Sequence, residues 1–414
     1  MARLVLKFGG TSVGDIARIR KVARLVKSQR DEGHEIAVVV SAMSGETNKL
    51  VAMAREMAAV PNLREYDAII STGEQVTVGL LALALQEIGV AAQSFLGWQI
   101  PLRTDAQHSN AWIEEVAGEK LSALMQKGTV PVIAGFQGIG PDGSVTTLGR
   151  GGSDTTAVAV AAAVKADQCD IYTDVEGVFT TDPRIVETAR KLDKISYEEM
   201  LELASVGAKV LQTRSVEIAM KQDVALQVLS SFENHIGSDL PGTLVTREED
   251  IVEQQLVTGV AYTRDEAKVT FLGVPDIPGV AARIFAPLAE AAVNVDMIVQ
   301  NVSADGKTTD ITFTIPRADL PLAKKTIEGL KDIQYRELVT SDKVAKVSVV
   351  GVGMRSHSGV ANTMFQTLAA KGINIEVIST SEIKISVLIA QEYVELAVRS
   401  LHTAYGLDEA ATSR

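Results

Sequence analysis

Two glycine-rich stretches hold the charged residues best placed to do chemistry. One is Lys7-Phe8-Gly9-Gly10-Thr11-Ser12; the other is Thr147-Leu148-Gly149-Arg150-Gly151-Gly152-Ser153-Asp154-Thr155-Thr156. Each leads into a run of helical character. A glycine loop at a helix start exposes backbone N–H groups and adds partial positive charge. That suits an anion, phosphate or carboxylate. The same residues also make an ordinary tight turn before a core helix, and the loop alone does not separate the two readings. The two loops carry different cations. A lysine ammonium is a point charge that suits a phosphoryl group in transfer. An arginine guanidinium is a planar fork that grips a carboxylate through two bonds. Together they suggest phosphoryl transfer onto a small acid, although Lys7 by itself also reads as a surface lysine at a strand end.

Other chemistries find little support. There is no Gly-x-x-x-x-Gly-Lys-Ser/Thr loop, and Gly351-Val352-Gly353 is only a partial dinucleotide fingerprint, with Ser356 at its third glycine position. His34, His108, His235, His357 and His402 are scattered without metal-ligand spacing and read as surface or helix-face positions. No nucleophile triad is visible. Cys169 is the only cysteine, which excludes a disulfide framework and a thiolate metal site. A net charge of −12 with no basic stripe argues against nucleic acid as the main partner. The first residues are too short an apolar run for a signal peptide, and no stretch reads as a membrane span. A reducing, cytoplasmic setting is expected.

The elements that must position these residues follow from periodicity. Residues 4–8 form a short apolar run before Gly9, and residues 16–26 repeat apolar positions on one helical face, ending near Gly33. Residues 36–40 are an uninterrupted buried strand. Strand, glycine turn, helix and strand make a βαβ unit on a parallel sheet. Helices are predicted over 48–59, 77–87, 197–204 and 207–220, and strands over 130–136, 170–173 and 224–229, the last of the domain. Residues 137–143 are a hairpin-like turn cluster. The loop 175–179 lies past a strand's C-terminal end, where ligands gather in open α/β sheets. Trp98 and Trp112 read as packing, and Glu248-Glu249-Asp250 as a charged linker.

The remainder contains a repeat. Gly279-Val280-Ala281, Phe285, Leu288-Ala289 and Asn294-Val295-Asp296 recur as Gly359-Val360-Ala361, Phe365, Leu368-Ala369 and Asn374-Ile375-Glu376. Each copy reads strand, turn, helix, strand, strand, helix; the first closes with a strand over 335–339, giving the βαββαβ ferredoxin-like pattern. The second has no closing strand of its own, while a spare strand over 256–262 stands before the first copy. That strand is expected to complete the second copy by pairing near 346–350 or 384–388.

Residues Val5-Leu6-Lys7-Phe8-Gly9-Gly10-Thr11-Ser12-Val13 resemble the aspartokinase signature of the amino-acid kinase family. The resemblance runs through Ser71-Thr72-Gly73-Glu74, residues 147–155, the stretch 172–184 and Gly207-Ala208-Lys209-Val210-Leu211, and the repeats are similar to tandem ACT domains. It covers nearly the whole chain. The implied fold is α/β: an N-terminal three-layer sandwich with a mostly parallel sheet, then two ferredoxin-like ACT domains. The corresponding boundaries are residues 1–246 for the kinase domain, 247–263 for a linker and lent strand, 264–342 for the first ACT domain and 343–414 for the second.

The family implies an aspartate kinase that makes 4-phospho-L-aspartate from ATP and L-aspartate, with Mg²⁺ on the nucleotide, as the first step toward lysine, threonine and methionine. Lys7 and Lys209 would neutralise the phosphoryl group in transfer, Asp154 would orient them, and Gly9 and Gly10 would cradle phosphate beside Phe8. Arg150 would hold the α-carboxylate of aspartate and Glu74 its ammonium, although Glu74 also reads as a helix-start acid favoured by the dipole. Ser41, Thr47 and Ser153 would give hydroxyl contacts, Ser41 on the ATP side, with Gly151 and Gly152 beside the substrate. Thr173, Asp174, Phe179, Thr180, Asp182, Pro183 and Arg184 would line the nucleotide site; Asp182-Pro183 is equally a turn. An acceptor carboxylate has a free pKa of roughly 4, so it needs no general base.

In the repeats, Asp276, Pro278, Gly279, Val280 and Ala281 resemble an effector loop, with Asn294, Val295, Asp296 and Gln300 as partners. Val360 and Ala361 are their counterparts, and Asn374, Ile375, Ser381 and Glu382 would come from a second copy. Lysine, threonine or both are the implied inhibitors, and a homodimer or higher oligomer through the ACT domains the implied assembly, with a shorter subunit made of the ACT region as a further partner. A non-catalytic amino-acid sensor on the same scaffold is the alternative, against which intact Lys7, Asp154 and Lys209 stand. Relatives that phosphorylate glutamate or acetylglutamate lack the tandem repeats.

Overall fold

Strand Arg3–Phe8 is buried along almost its whole length, because both faces of its sheet are covered. A computed structural model describes residues 1–207, 210–232, 242–251, 256–304, 306–330, 333–357 and 359–408. In it Arg3–Phe8 lies between Gln168–Thr173 and Glu35–Val40, parallel to both. The eight-stranded sheet runs Lys194–Ser196, Thr243–Thr246, Leu226–Ser230, Gln168–Thr173, Arg3–Phe8, Glu35–Val40, Val130–Ala134, Ala92–Phe95. Only the Leu226–Ser230/Thr243–Thr246 pair is antiparallel. Leu4, Leu6 and Phe8 join a core with helices Ile16–Asp31 and Thr72–Glu87. Strand side chains alternate between faces, so Lys7 faces the opposite side, where helix Gly152–Val164 begins. Helices on both faces make three layers. A four-stranded sheet, Ile113–Val116, Leu102–Thr104, Gln137–Ile139, Val145–Thr147, leads into that helix.

The two repeats share a second sheet of six strands, ordered Asp296–Val302, Thr308–Ile315, Gly259–Pro275, Glu337–Val350, Lys384–Ala390, Val377–Thr380. Its two central strands are long and serve both repeats. The Val269–Leu272 segment pairs with Glu337–Thr340 for the first repeat, while Gly259–Thr263 pairs with Lys346–Val350 for the second. The strand that precedes the first repeat therefore fills the fourth position of the second repeat, and the first is inserted within it. Each repeat has its own helix-covered core, one around Phe271, Ile284 and Phe313, the other around Val347, Met364 and Leu401.

Several sequence expectations are corrected. Strands predicted over 256–262 and 335–339 are ends of the two long strands, not separate elements. The predicted helix over 207–220 begins at Thr213; residues 207 and 210–212 are not helical. The domain's last strand is Thr243–Thr246, not 224–229. Nor does the chain divide at one point near 246. One compact unit is Met1–Val178, Lys191–Ala204 and Lys209–Val252; the other is Phe179–Arg190, Ser205–Ala208 and Glu253–Arg414. The reason is apolar: Val186 is buried in the second repeat's core, with Ile185 and Ala189 packed against it. His402 lies on a helix face, Val394–Ala404, with its side chain fully buried, and His235 lies outside the described residues. Trp98 and Trp112 are 37% and 53% exposed, so neither is a core residue, although Trp112 packs against the Arg214 guanidinium, 4.7 Å from its ring centroid. The segment Leu63–Glu87 is long and apolar enough to cross a membrane by composition, a property the sequence reading did not flag. It is divided at Ser71 into two helices and buries two carboxylates, Asp67 and Glu74.

Candidate functional site

Where Arg3–Phe8 ends, Lys7 meets Asp154 in the first turn of helix Gly152–Val164, with Nζ 2.5 Å from Oδ1. Their side chains are only 9% and 11% exposed, so each charge depends on the other. Gly9 lies against the ammonium: a Cβ there would stand 3.4 Å from Lys7 Nζ. The Gly9 N–H donates to the Tyr172 carbonyl at 3.2 Å, so it is not available to a phosphate. Gly10's N–H has no partner among the described residues. Phe8 is fully buried and stacks on Tyr172 with ring centroids 4.8 Å apart. Its carbonyl takes the Ser41 N–H at 3.1 Å. Of the two glycine N–H groups expected to meet phosphate, the Gly9 one is therefore taken within the fold.

The neighbouring strand end and two helix starts converge on the same place. Ser41 Oγ is 2.8 Å from Ser153 Oγ. The Ala42 N–H donates to Glu74 Oε1 at 3.0 Å, and a Cβ on Gly73 would come within 2.7 Å of Ala42 Cβ. Glu74 sits in the first turn of helix Thr72–Glu87 and is 3% exposed. Burial pushes its carboxyl up to about 7, against the opposing pull of the Ala42 N–H bond. Its Oε2 is buried with no hydrogen-bond partner among the described residues. A buried, half-satisfied carboxylate asks for a cation or a donor. Thr47 is half-buried in the first turn of helix Glu46–Met57.

Arg150 lies between two glycines held at φ +76° and +70°, Gly149 and Gly151. A Cβ on Gly151 would fall 1.8 Å from Gln212 Cγ, so only glycine fits. Arg150 itself is exposed and pairs with no described residue. Thr173 is tied through its carbonyl to the Ser231 N–H and hydroxyl at 2.8 and 3.0 Å, and Asp174 is exposed beside it. Ser12 Oγ donates to Ser231 Oγ at 2.8 Å, which anchors the first glycine loop to this strand end. Neither serine was singled out as a site residue. Lys209 lies outside the described residues.

The stretch from Phe179 onward is gathered in the second unit. Thr180 Oγ1 is 2.9 Å from His402 Nε2, and the Thr180 carbonyl takes the Val260 N–H at 2.8 Å. Asp182 accepts both arms of Arg184, at 3.0 and 2.8 Å, and the Tyr262 hydroxyl at 3.1 Å. Arg184 holds the Asp182 carboxyl below its usual range. Phe179 is half-buried, and Pro183 and Arg184 are exposed.

Among the effector candidates, Asp276, Pro278, Asn294, Gln300, Asn374, Ser381 and Glu382 are exposed. Gly279, at φ +87°, opens helix Val280–Glu290. Val280 and Val360 are buried in the repeat cores, and the half-buried Val295, Ala361 and Ile375 pack against those cores. Ala281 is half-buried. Asp296 is not free either. Its Oδ2 accepts Lys346 Nζ at 2.7 Å, and Lys346, 5% exposed, also pairs with Glu266 at 2.8 Å. Burial is the largest single influence on the Asp296 carboxyl and raises it, but the Lys346 bond and charge, the Met297 N–H and Lys384 together bring the net shift downward. In the other repeat Glu376, the counterpart of Asp296, pairs with Lys268. The two lysines were missed, although Ala267-Lys268-Val269 recurs as Ala345-Lys346-Val347.

Residues 2–230 match the amino acid kinase family, and residues 268–332 and 347–405 match ACT domains. The aspartate kinase of Pseudomonas putida is 55% identical over 413 residues, covering 99% of both chains. E. coli aspartokinase III in complex with aspartate and ADP, in its R-state, superposes with a TM-score of 0.82 at 28% identity, over 97% of this chain and 99% of that one. The same E. coli enzyme with lysine and aspartate, in its T-state, gives a TM-score of 0.75 at 29% identity, over 97% and 98%. The chain is a phosphotransferase that belongs to the aspartokinases, the branch of the amino-acid kinase family in which the kinase domain is followed by two ACT domains.

Proposed function

We propose that the chain transfers the γ-phosphoryl group of ATP to the side-chain carboxylate of L-aspartate, giving 4-phospho-L-aspartate and ADP. The observation that carries this reading is the buried Oε2 of Glu74, without a partner among the described residues, at the strand end whose Ala42 N–H holds its other oxygen and whose Ser41 meets Ser153, the neighbour of Asp154 in the Lys7–Asp154 pair. A carboxylate so placed suits the α-ammonium of an amino acid, and the exposed Arg150, unpaired among the described residues, suits its α-carboxylate. The aspartate carboxylate oxygen bonds to γ-phosphorus while the bond to the β-phosphate oxygen breaks. No proton moves, because the acceptor is already ionised at neutral pH. Lys7, held by Asp154, offsets the charge that spreads over the phosphoryl oxygens. Lys209 takes the second lysine's role by its motif. Among the described residues no three His, Cys, Asp or Glu side chains gather as a metal site. Mg²⁺ on the nucleotide would then be held mainly by phosphates and water, and would neutralise phosphate charge. E. coli aspartokinase III with bound ADP supports the nucleotide.

Trapping the acyl phosphate with hydroxylamine, in the presence of ATP and a panel of amino acids, tests the reading. Hydroxamate should form with aspartate; none with any amino acid would leave the scaffold as a sensor. Arg150→Ala should raise the aspartate KM about a hundredfold with the ATP KM within about twofold, because a bidentate charged contact contributes roughly 2–3 kcal/mol.

We further propose feedback control through the repeats, with lysine, threonine or both as effectors, in a pathway that makes these amino acids and methionine. The lysine-bound E. coli neighbour and the tandem ACT domains support this. The effector must prefer one conformation of the enzyme. Assembly through the outer strands Asp296–Val302 and Val377–Thr380 is supported by their exposed Ile298, Val302 and Ile378. Asp276→Ala should relieve inhibition while basal kcat stays within about twofold; unchanged inhibition curves would move the effector elsewhere.

A further inference from the structure

Asp67 is a carboxylate with 0% exposure that takes no part in the chemistry above. It lies on helix Leu63–Ile70 and accepts five hydrogen bonds. Its Oδ2 receives the Ser109 N–H at 2.8 Å and the Thr147 N–H at 3.0 Å, and lies 2.9 Å from His108 Nδ1. Its Oδ1 receives the Thr147 hydroxyl at 2.7 Å and the Ser109 hydroxyl at 3.1 Å. A carboxylate has about four lone-pair directions, so this one is saturated. It also gathers donors from two segments far apart in sequence.

Those two segments flank the turn that presents Arg150. Thr147 ends strand Val145–Thr147, and the turn begins at the next residue. The loop at 109–110 lies over that turn: a Cβ on Gly149 would stand 2.9 Å from Asn110 Oδ1 and 3.2 Å from the Ser109 carbonyl. The Ala111 N–H donates to the Thr147 carbonyl at 2.9 Å, and Arg214 bridges the Leu148 and Ala111 carbonyls at 3.1 and 2.7 Å. Apart from Asp67, these bonds join backbone to backbone or to one arginine. Asp67 is the point where the loop and the strand are held by one buried charge.

We propose that Asp67 is a positioning residue for aspartate: it fixes both sides of the Gly149–Arg150 turn and so sets the direction of the Arg150 guanidinium. This rests on the reading that Arg150 holds the substrate's α-carboxylate. Preorganised geometry matters because a displacement of about 1 Å can lower a rate by about a hundredfold. The carboxylate also selects its donors. In Asp67→Asn the amide oxygen can still accept the two backbone N–H groups, but those bonds lose their charged acceptor, and the NH₂ turns the Ser109 and Thr147 hydroxyls from donating to accepting, so the staple weakens on both sides.

The test is a double-mutant cycle on the full-length enzyme, with aspartate KM, ATP KM and kcat measured for Asp67→Asn, Arg150→Ala and both together. Asp67→Asn should raise the aspartate KM about tenfold with the ATP KM within about twofold. In the Arg150→Ala background the same change should add nothing to the aspartate KM. Thr147→Val, which removes one hydroxyl and keeps the backbone N–H, should move the aspartate KM about threefold in the same direction, and serves if Asp67→Asn does not fold. Equal rises in both KM values, or full additivity with Arg150→Ala, would make Asp67 a general stability residue and overturn the proposal. If Arg150→Ala itself leaves the aspartate KM unchanged, the role of Arg150 fails first and the positioning proposal falls with it.

Discussion

Lys7→Met should abolish turnover, with kcat lower by at least about a thousandfold and ATP binding retained. The size follows from the chemistry: a fixed cation in a dry site at the phosphoryl oxygens contributes far more than it would in water. The single substitution has a side effect that must be separated. It leaves Asp154 buried without its one ion-pair partner among the described residues, and breaking comparable buried pairs costs about 3–5 kcal/mol. Methionine fills much of the lysine's volume, but it does not neutralise the acid. The second variant is therefore Lys7→Met with Asp154→Asn, which removes both charges together. Replacing both partners of a buried pair is often close to neutral for stability. The double variant should melt near the wild type and still be inactive. Recovery of turnover in the double variant would mean that the pair only holds the fold together, and the assignment of Lys7 to the reaction would be lost.

The candidate site was legible in the sequence where chemistry and local geometry coincide. Lys7, Asp154, Glu74 and Ser153 all stand at strand ends or in first helical turns, and glycine spacing marks such places. What the glycines did not reveal was which N–H groups the fold had already taken. Gly9 and Gly10 look equivalent in sequence, yet only Gly9 sits opposite the Tyr172 carbonyl. That distinction depends on the register of Arg3–Phe8 against Gln168–Thr173, which is set by distant residues. Asp67 was invisible for a related reason. Its donors come from residues 108, 109 and 147, and no local pattern announces a contact across 80 positions.

The repeats show the opposite case. Their internal similarity revealed the spare strand and its partner, because a βαββαβ unit lacking a strand must borrow one. The side-chain consequence was harder to see. Each repeat's first strand carries a lysine, Lys268 or Lys346, that pairs with the acid of the other repeat, Glu376 or Asp296. This reciprocal pairing follows from the shared sheet and occupies one of the carboxylates expected to meet an effector. Asp276, exposed at the start of its loop, is the acid left available in the first repeat, and this is why the regulatory prediction rests on it.

The same logic of a charge awaiting its partner makes Glu74 the other strong prediction. With its carboxyl raised to about 7 by burial, unliganded enzyme near neutral pH holds a mixture of Glu74 and its protonated form. An ammonium ion binds the ionised form. The kcat/KM for aspartate should therefore reach a plateau above about pH 7 and fall about tenfold per unit below it. Glu74→Gln should remove this limb and raise the aspartate KM roughly 30- to 1000-fold, the range for truncating one side of a buried charged contact at about 2–4 kcal/mol. Stability supplies an independent readout with a definite sign. The folded value, about 7, lies above the ordinary 4.5, so between them the native state binds more protons than the unfolded chain. Stability contributed by the protonated form is then lost as pH rises from about 4.5 through 7, by about 3 kcal/mol at 1.36 kcal/mol per unit. In the absence of substrate, Glu74→Gln should be more stable than the wild type at pH 8 and nearly equal at pH 4.5, and saturating aspartate should narrow the difference at pH 8. Parallel melting curves at both values, with an unchanged aspartate KM, would show that this carboxylate meets no ammonium and that the amino acid binds elsewhere.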